Sequence, residues 1–204
     1  MSTVTAVEKR GLVYLVYTDG RLLARINRGS FELRPLKEGD FIDEEQYLEA
    51  TALLQEPLAY EAALSALDRA AKTERALTRH LLDRGFLPGP AESAVKRLVR
   101  ARLIDDAAIA ERLTQAGAAS GRSKNALKQK LRAKGVGDDD IDSALEGVSD
   151  EDQLISAKKL AVRMFPRYEK LEKRAARAKL SQALARRGFS WDVIDRALDG
   201  LFDA

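Results

Sequence analysis

The chain has 204 residues, a net charge of +3, and charged side chains at 33% of its positions. It contains no cysteine, which excludes disulfides and thiolate metal sites. No apolar run approaches membrane-spanning length, and the first residues lack the pattern of a signal peptide. We therefore expect a cytoplasmic protein with no membrane partner.

The first fifty or so residues carry strand signals. Residues 12–17 are apolar, β-branched and aromatic, the pair Asp19-Gly20 follows, and residues 22–26 are again mostly apolar. An Asp-Gly pair between two such runs is typical of a β-hairpin turn. A second turn at residues 37–40 precedes Asp43-Glu44-Glu45, which indicates a helix start. Residues 1–54 are thus predicted to form a β-rich module that ends in a connecting helix near residues 43–54.

The rest of the chain repeats one apolar pattern around three glycines, Gly85, Gly135 and Gly188. Leucines stand eight and four residues before each glycine, a base directly before it, and an apolar residue directly after it. Leucines four apart share one helical face, and a glycine one turn later can end the helix in the left-handed conformation. A helix is therefore predicted to end at each glycine.

A further helix is predicted on each side of this one. Apolar residues recur at positions 6, 9, 10 and 13 after each glycine, and amphipathic stretches at residues 58–70, 105–118 and 150–165 come before it. Asp138-Asp139-Asp140 and Ser190 are typical of helix N-termini. The predicted fold is mainly α: three tandem three-helix repeats at residues 55–103, 104–148 and 149–204. After the small β-hairpin-containing N-terminal module, the repeats should stack into an elongated curved array.

Positive charge is concentrated in the last two repeats. Residues 121–134 hold six bases and no acid, and residues 170–187 hold seven bases against Glu172, whereas acids cluster at residues 138–152. Such helices could form a positive surface for phosphates or an acidic partner, or they could simply be solvated faces that cover alanine-rich surface. The candidate binding residues are Arg122, Lys124, Lys128, Lys130, Arg132, Lys134, Arg174, Arg177, Lys179, Arg186 and Arg187.

Catalytic and cofactor-binding patterns are scarce. His80 is the only histidine, so a metal site would need carboxylates, and Asp105-Asp106 is better explained as a helix start. Residues 117–123 partly match a phosphate-binding loop. That match is one residue short, has arginine in place of the required lysine, and follows a predicted helix instead of a strand. We therefore predict a protein that is not an enzyme and has no cofactor or metal.

Three segments of the chain resemble a known family. Residues 179–194, KLSQALARRGFSWDVI, are similar to the C-terminal repeat of the RecX regulatory proteins, which modulate the RecA recombinase. Residues 98–106 and 121–136 resemble the middle repeat of that family. The family usually has a glycine and an aromatic residue where this chain has Arg102 and Ile109. The resemblance covers residues 58–202, and the β-hairpin module resembles an N-terminal extension that some members carry.

The resemblance implies a negative regulator without catalytic activity. RecX proteins bind RecA, lie in the groove of its filament on single-stranded DNA, and inhibit its ATPase and strand exchange. The chain is thus expected to modulate recombination, DNA repair and the SOS response. Its expected partners are RecA and the RecA nucleoprotein filament, with single- or double-stranded DNA as a further partner, and it is expected to be a monomer. Charge reversal of Lys128, Lys130 and Arg132 together should weaken this inhibition.

Two other interpretations stay open. The chain could bind DNA without RecA, with the N-terminal hairpin as a wing and one basic helix in a groove of the duplex. It could also be a helical-repeat adaptor for a different acidic partner. ATPase titration with RecA filaments, beside a DNA control without RecA, separates the three.

Overall fold

A computed structural model describes residues 1–202 of the chain. The N-terminal part contains β1 (Ser2–Arg10), β2 (Val13–Thr18), β3 (Arg21–Asn27), α1 (Arg28–Leu33), β4 (Phe41–Ile42) and α2 (Glu44–Arg69). The helices that follow are α3 (Glu74–Asp83), α4 (Pro88–Arg100), α5 (Asp106–Ala119), α6 (Lys124–Lys134), α7 (Asp138–Glu146), α8 (Asp150–Met164), α9 (Lys173–Ala185) and α10 (Trp191–Phe202). A short 3₁₀ turn, Phe165–Arg167, follows α8. The predicted fold class, mainly helical with a small N-terminal sheet, is confirmed, while the curved array stays a prediction.

The predicted hairpin is formed by β2 and β3. Asp19 and Gly20 both adopt positive φ, +47° and +78°, as a two-residue type I′ turn requires. The antiparallel sheet has the strand order β3-β2-β1-β4. The sequence analysis missed β1 because Val4 is its only fully buried residue, so the strand carries little apolar signal. It also missed the short helix α1.

The tip of the hairpin is held against the rest of the module. The Asp19 carboxylate accepts a hydrogen bond from the Thr3 backbone N–H at 3.0 Å. The Thr18 hydroxyl donates to Glu44 at 2.7 Å, and the Arg21 guanidinium lies 2.6 Å from the same carboxylate. These hydrogen bonds, that from Thr18 first, hold the pKa of Glu44 below its usual range. A hairpin fastened to β1 and α2 in this way does not suit a projecting wing.

The two helices expected at residues 43–54 and 58–70 are one continuous helix, so that expectation is wrong. Proline inside a helix costs about 3 kcal/mol because it removes a hydrogen bond and crowds the preceding turn, yet α2 continues through Pro57. One stripe of α2 stays buried on both sides of Pro57, and this burial offsets the cost. The stripe consists of Tyr47, Thr51, Gln55, Ala59, Ala63 and Ala66. The predicted boundary at residues 54/55 falls inside α2.

The helices from α2 onward form three groups, α2–α4, α5–α7 and α8–α10. The middle helix of each group ends at the predicted glycine, with φ of +83°, +86° and +85° for Gly85, Gly135 and Gly188. In each case the residue after the glycine donates its backbone N–H to the carbonyl of the leucine four residues before the glycine, at 3.1–3.3 Å. This is the Schellman arrangement, so the predicted helix ends are confirmed.

The chain divides into two compact units, Met1–Asp105 and Asp106–Ala204. The first unit contains one apolar cluster in the β module, around Val16, Ile26 and Tyr47, and another in the α2–α4 group. The second unit contains one cluster in each of its two helix groups. The predicted repeat boundaries at residues 103/104 and 148/149 lie between helices of the structure.

Within the first unit, Gln55 joins the β module to the α2–α4 group. Its fully buried amide donates to the Ser30 hydroxyl and to the Gly85 carbonyl, both at 3.0 Å, and accepts from the Leu87 N–H at 2.6 Å. The Gly85 carbonyl also accepts from the Asn27 N–H at 2.8 Å. A buried amide with these partners satisfied fixes the module on the first helix group.

Candidate functional site

The second unit contains a groove of about 1030 Å³. The end of α5, the α5–α6 turn and the first half of α6 line one part of it, and α8 with the end of α9 and the α9–α10 turn line the rest. Five bases and one acid contribute to this lining. The bases are Arg122, Lys159, Arg163, Arg186 and Arg187, and the acid is Asp152. We call this feature the basic groove.

One face of helix α8 lines the basic groove. Its lining residues are spaced three or four positions apart, so they lie on one side of the helix. They are Ile155, Ser156, Lys159, Leu160 and Arg163. Lys159 and Arg163 are separated by a rise of ~6 Å along the axis. This face therefore presents two bases along one wall of the groove.

The Asp152 carboxylate is already used by the N-terminus of α8. It accepts hydrogen bonds from the Ser149 hydroxyl at 2.6 Å and from the Ser149 backbone N–H at 3.2 Å. The Ser149 hydroxyl in turn accepts from the Asp152 N–H, which completes a capping box. The hydrogen bond from the Ser149 side chain is the main reason that the pKa of Asp152 is lowered. Asp152 thus stays ionised at neutral pH and serves the helix end.

The two helix groups of the second unit meet beside the groove. The Ser123 hydroxyl, at the N-terminus of α6, donates to the Arg187 carbonyl at 2.6 Å. Next to it, Gly188 approaches so closely that an added Cβ would lie 2.7 Å from the Ser123 Oγ and 3.3 Å from the Ala126 N. This contact holds the α9–α10 turn, with Arg186 and Arg187, against the start of α6.

The segment that partly matches a phosphate-binding loop lines the groove but does not present the backbone donors that such a loop needs. The Ser120 N–H donates to the Ala116 carbonyl at 3.2 Å, the Gly121 N–H to the Ala118 carbonyl at 2.8 Å, and the Arg122 N–H to the Gly117 carbonyl at 3.1 Å. An anion in the groove would therefore be bound by side chains, in contrast to a loop whose backbone cradles phosphates.

Of the eleven candidate bases, the groove brings together Arg122, Arg186 and Arg187. Three others are in ion pairs within their own helix groups, and a fourth hydrogen-bonds to the backbone. The pairs are Lys128–Asp142 at 2.7 Å, Arg132–Asp138 at 2.8 Å and Arg177–Asp199 at 2.6 Å, and the Lys124 Nζ donates to the Val148 carbonyl at 3.4 Å. Lys130, Lys134, Arg174 and Lys179 lie outside the groove lining.

The Lys128–Asp142 pair shows how the acidic run at residues 138–152 compensates the basic helix α6. The hydrogen bond from Lys128, followed by the charges of Lys128 and Arg132, lowers the pKa of Asp142. Because that carboxylate stays ionised at neutral pH, Lys128 is partly neutralised within the chain. The density of bases along the sequence therefore overstates the positive charge that α6 offers to a partner.

Lys159 and Arg163 were missed by the sequence analysis. They lie in the amphipathic stretch at residues 150–165, where the acids at residues 150–152 offset their contribution to the local net charge. The available signal was their spacing of four residues, together with Ile155 four residues before Lys159. Helical periodicity would have put all three on one exposed face.

Other kinds of site find no support in residues 1–202. No group of three or more His, Asp or Glu side chains in this range could hold a metal ion. Nor is any of the helices described long and apolar enough to cross a membrane.

The helix groups correspond to the domains of a known family. Family models described as the first, second and third three-helix domains of RecX match residues 59–98, 105–145 and 150–198. Regulatory protein RecX of Limosilactobacillus reuteri (strain DSM 20016) is 30% identical over 200 residues, which cover 98% of this chain and 75% of that protein. The chain belongs to the RecX family.

Further RecX proteins match over similar lengths. Regulatory protein RecX of Clostridioides difficile (strain 630) is 27% identical over 92% of this chain and 89% of that protein. A solved structure, "Crystal structure of regulatory protein RecX", is 29% identical with a TM-score of 0.68, covering 98% of this chain and 100% of that one. RecX from Lactobacillus salivarius is 25% identical with a TM-score of 0.67, over 72% of this chain and 96% of that one.

The family match relates the basic groove to two of the three-helix domains. RecX is a family of regulatory proteins, and the basic groove of this member lies between its second and third three-helix domains.

Proposed function

We propose that this RecX protein is a negative regulator of RecA. In this proposal it binds the RecA filament on single-stranded DNA and inhibits the ATPase and strand exchange of RecA. It would thereby modulate recombination, DNA repair and the SOS response. The proposal rests on membership of the RecX family, and the observation that carries it is the basic groove between the second and third domains.

The lack of ion pairs among the groove bases supports docking on a nucleoprotein filament. None of the five bases that line the groove forms an ion pair with another residue described in the structure. Lys128, Arg132 and Arg177, in contrast, each pair with a carboxylate. A filament that carries DNA presents phosphates, and uncompensated bases attract such a surface more strongly than bases that already face a carboxylate. Docking should therefore depend on the groove more than on the middle of α6.

A regulator of this kind acts by occupying its partner. It needs neither a catalytic site nor a cofactor, and we propose that this protein has neither. We further propose that it acts as a monomer in the cytoplasm, where RecA filaments form.

The test is a titration of RecA ATPase on single-stranded DNA with two matched variants. The groove variant is Lys159→Glu/Arg163→Glu. The control variant is Lys158→Glu/Arg167→Glu, which also reverses one lysine and one arginine, at exposed positions outside the groove lining. We expect wild type and control to inhibit alike and the groove variant to need at least roughly tenfold more protein, since two charge contacts of ~0.7 kcal/mol together correspond to that ratio.

Either of two results would contradict the proposal. A wild-type protein that leaves RecA ATPase and strand exchange unchanged would exclude inhibition of RecA as its function. Equal inhibition by the groove and control variants would remove the groove from the docking surface. Unchanged far-UV circular dichroism would show that both variants are folded.

A further inference from the structure

We infer that the exposed face of α2 is a docking surface for a basic amphipathic helix of a partner protein. This face belongs to the first unit and shares no residue with the basic groove, and the proposed function makes no use of it. Its exposed residues recur every four positions, and we call them the α2 outer row. They are Glu45, Glu49, Leu53, Pro57 and Glu61.

The centre of the outer row is apolar. Leu53 is 74% exposed, Pro57 one turn later is exposed as well, and the half-buried Ala50 and Leu54 adjoin Leu53. A helix that packs on a core along one stripe usually has a polar opposite face. Here the buried stripe of α2 and the centre of its outer row are both largely apolar. A second apolar face of this kind is typical of a helix on which a partner docks.

Pro57 also exposes a backbone acceptor in this centre. Because proline has no N–H, the Leu53 carbonyl lacks the donor that a helix normally supplies four residues later. A lysine or arginine side chain of a partner can donate to this carbonyl, whereas a purely apolar or acidic side chain cannot. The centre of the row therefore favours a partner that combines apolar contacts with cationic donors.

The carboxylates of the row determine the sign of the partner. Glu49 comes one turn before Leu53, and Glu61 comes one turn after Pro57, so carboxylates lie at both ends of the apolar centre. Glu45, Glu49 and Glu61 form no ion pair with another residue described in the structure.

The whole of α2 is acidic in a chain of positive net charge. It contains six acidic residues and a single base, which lies in its last turn. A cationic helix complements this surface, whereas nucleic acid or an anionic membrane would be repelled by it. An apolar stripe between carboxylates thus fits a helix with one apolar and one basic face.

The neighbouring helix α4 leaves the centre of the row open. The Ser93 hydroxyl donates to Glu56 at 2.9 Å, and the Arg97 guanidinium lies 4.1 Å from the centre of the Tyr60 ring. These contacts join α2 to α4 beside the row and engage Glu56 and Arg97 within the chain. Leu53 keeps most of its surface exposed, so a helix can pack there without displacing α4.

The experiment measures the binding of a labelled synthetic peptide by fluorescence anisotropy, without RecA or DNA. The peptide has about 18 residues in the repeat LKKLLKL, so its helix has one apolar and one basic face. Its length of ~27 Å spans the ~24 Å from Glu45 to Glu61. Unlabelled competitors are the same peptide, its glutamate counterpart LEELLEL, and a scrambled peptide of leucine and lysine that cannot form an amphipathic helix.

Two matched variants test the position of the site. The row variant is Glu49→Lys/Leu53→Ser. Its control is Glu169→Lys/Leu171→Ser, which makes the same two exchanges at exposed positions of the second unit. The single variants separate the two contributions. The loss caused by Glu49→Lys should shrink as salt is raised, whereas the loss caused by Leu53→Ser should persist.

We expect the wild type and its control to bind the basic peptide alike, and the row variant to bind at least roughly tenfold more weakly. That ratio corresponds to ~1.4 kcal/mol, less than the burial of one leucine side chain contributes. Only the unlabelled basic peptide should displace the label efficiently. The row variant should inhibit RecA ATPase as the wild type does, because the row shares no residue with the basic groove.

Several outcomes would overturn the inference. No binding by the wild type, or equal binding by the wild type and the row variant, would exclude the row as the site. Equal displacement by the glutamate or scrambled peptide would show that neither charge nor the amphipathic helix is recognised. Self-association in sedimentation equilibrium that the row variant loses would assign the row to a second copy of the chain.

The RecA assay distinguishes this inference from the proposed function. Loss of RecA inhibition in the row variant would assign the row to the filament and overturn the inference. A wild type that binds the basic peptide through the row but has no effect on RecA would support the inference and exclude the proposed function.

Discussion

At the scale of single residues, Arg102 ends α4 in a backbone conformation that usually requires glycine. The Leu103 N–H donates to the Leu98 carbonyl at 3.0 Å and the Arg102 N–H to the Val99 carbonyl at 2.8 Å. These are the two bonds of a Schellman helix end, whose left-handed residue is usually glycine. Here that residue is Arg102, with φ of +56°.

Replacement of Arg102 by glycine should stabilise the first unit. A side chain in the left-handed conformation costs ~1–2 kcal/mol of stability, which glycine would avoid. The greater conformational freedom of glycine in the unfolded chain reduces this gain by ~0.5–1 kcal/mol. We expect Arg102→Gly to raise Tm by about 2 °C in a thermal melt. Arg100→Gly, the same exchange in the last helical residue of α4, should lower Tm because glycine is a poor helix former. A lower Tm for both variants would contradict this account.

The candidate bases show what a count of residues leaves out. Lys128 and Arg132 looked as exposed and available as Arg122 in the sequence, yet both face carboxylates of α7 in the structure. The sequence analysis proposes charge reversal of these two residues together with Lys130. That variant would break two ion pairs as well as change the surface charge. A loss of inhibition in that variant would therefore need a stability measurement beside it.

At the scale of elements, the helix ends were predictable and the helix joints were not. Leucine spacing and glycine placed the ends of α3, α6 and α9, because these depend on local backbone geometry. The continuity of α2 through Pro57 depends on a stripe of its own residues that other elements bury. Local propensity alone predicted a break there.

The turn between α9 and α10 gives a prediction at this scale. Gly188 and Gly121 both have positive φ, but an added Cβ would lie 2.7 Å from Ser123 Oγ at Gly188 and in open space at Gly121. Both alanine variants suffer the left-handed strain, and Gly188→Ala adds overpacking of ~1–3 kcal/mol.

We therefore expect the free energy of unfolding in urea to fall about 2 kcal/mol further for Gly188→Ala than for Gly121→Ala. Since the same contact holds Arg186 and Arg187 beside the groove, Gly188→Ala should also weaken the inhibition of RecA ATPase. Equal destabilisation by the two variants would show that the close approach of Gly188 to α6 contributes nothing.

At the scale of the whole molecule, the second unit should be independent of the first. It has an apolar cluster in each helix group, and Ser123–Arg187 and Lys124–Gln153 hydrogen bonds join the two groups. The bases of the groove all belong to it. A chain segment with its own core and its own site meets the conditions for autonomous folding.

A fragment of residues 106–204 should accordingly be helical, unfold cooperatively, and bind RecA filaments on single-stranded DNA through the groove. Circular dichroism melts and co-sedimentation with these filaments check this directly. A fragment that melts without cooperativity would show that the second unit needs the first for stability. A folded fragment that no longer binds RecA filaments would show that docking needs residues outside the groove.

The sequence by itself determined the repeats, their helix ends, the hairpin turn and the family, because each depends on spacing along the chain or on the φ that a residue can adopt. Tertiary structure alone decided which bases line the groove and which ones pair with carboxylates. Lys128 and Arg132 lie opposite carboxylates that follow them by six to fourteen residues, while Lys159 and Arg163 of α8 come together with Arg122 of the α5–α6 turn. Charge acts through distance in space, and the packing of one helix group on another sets that distance.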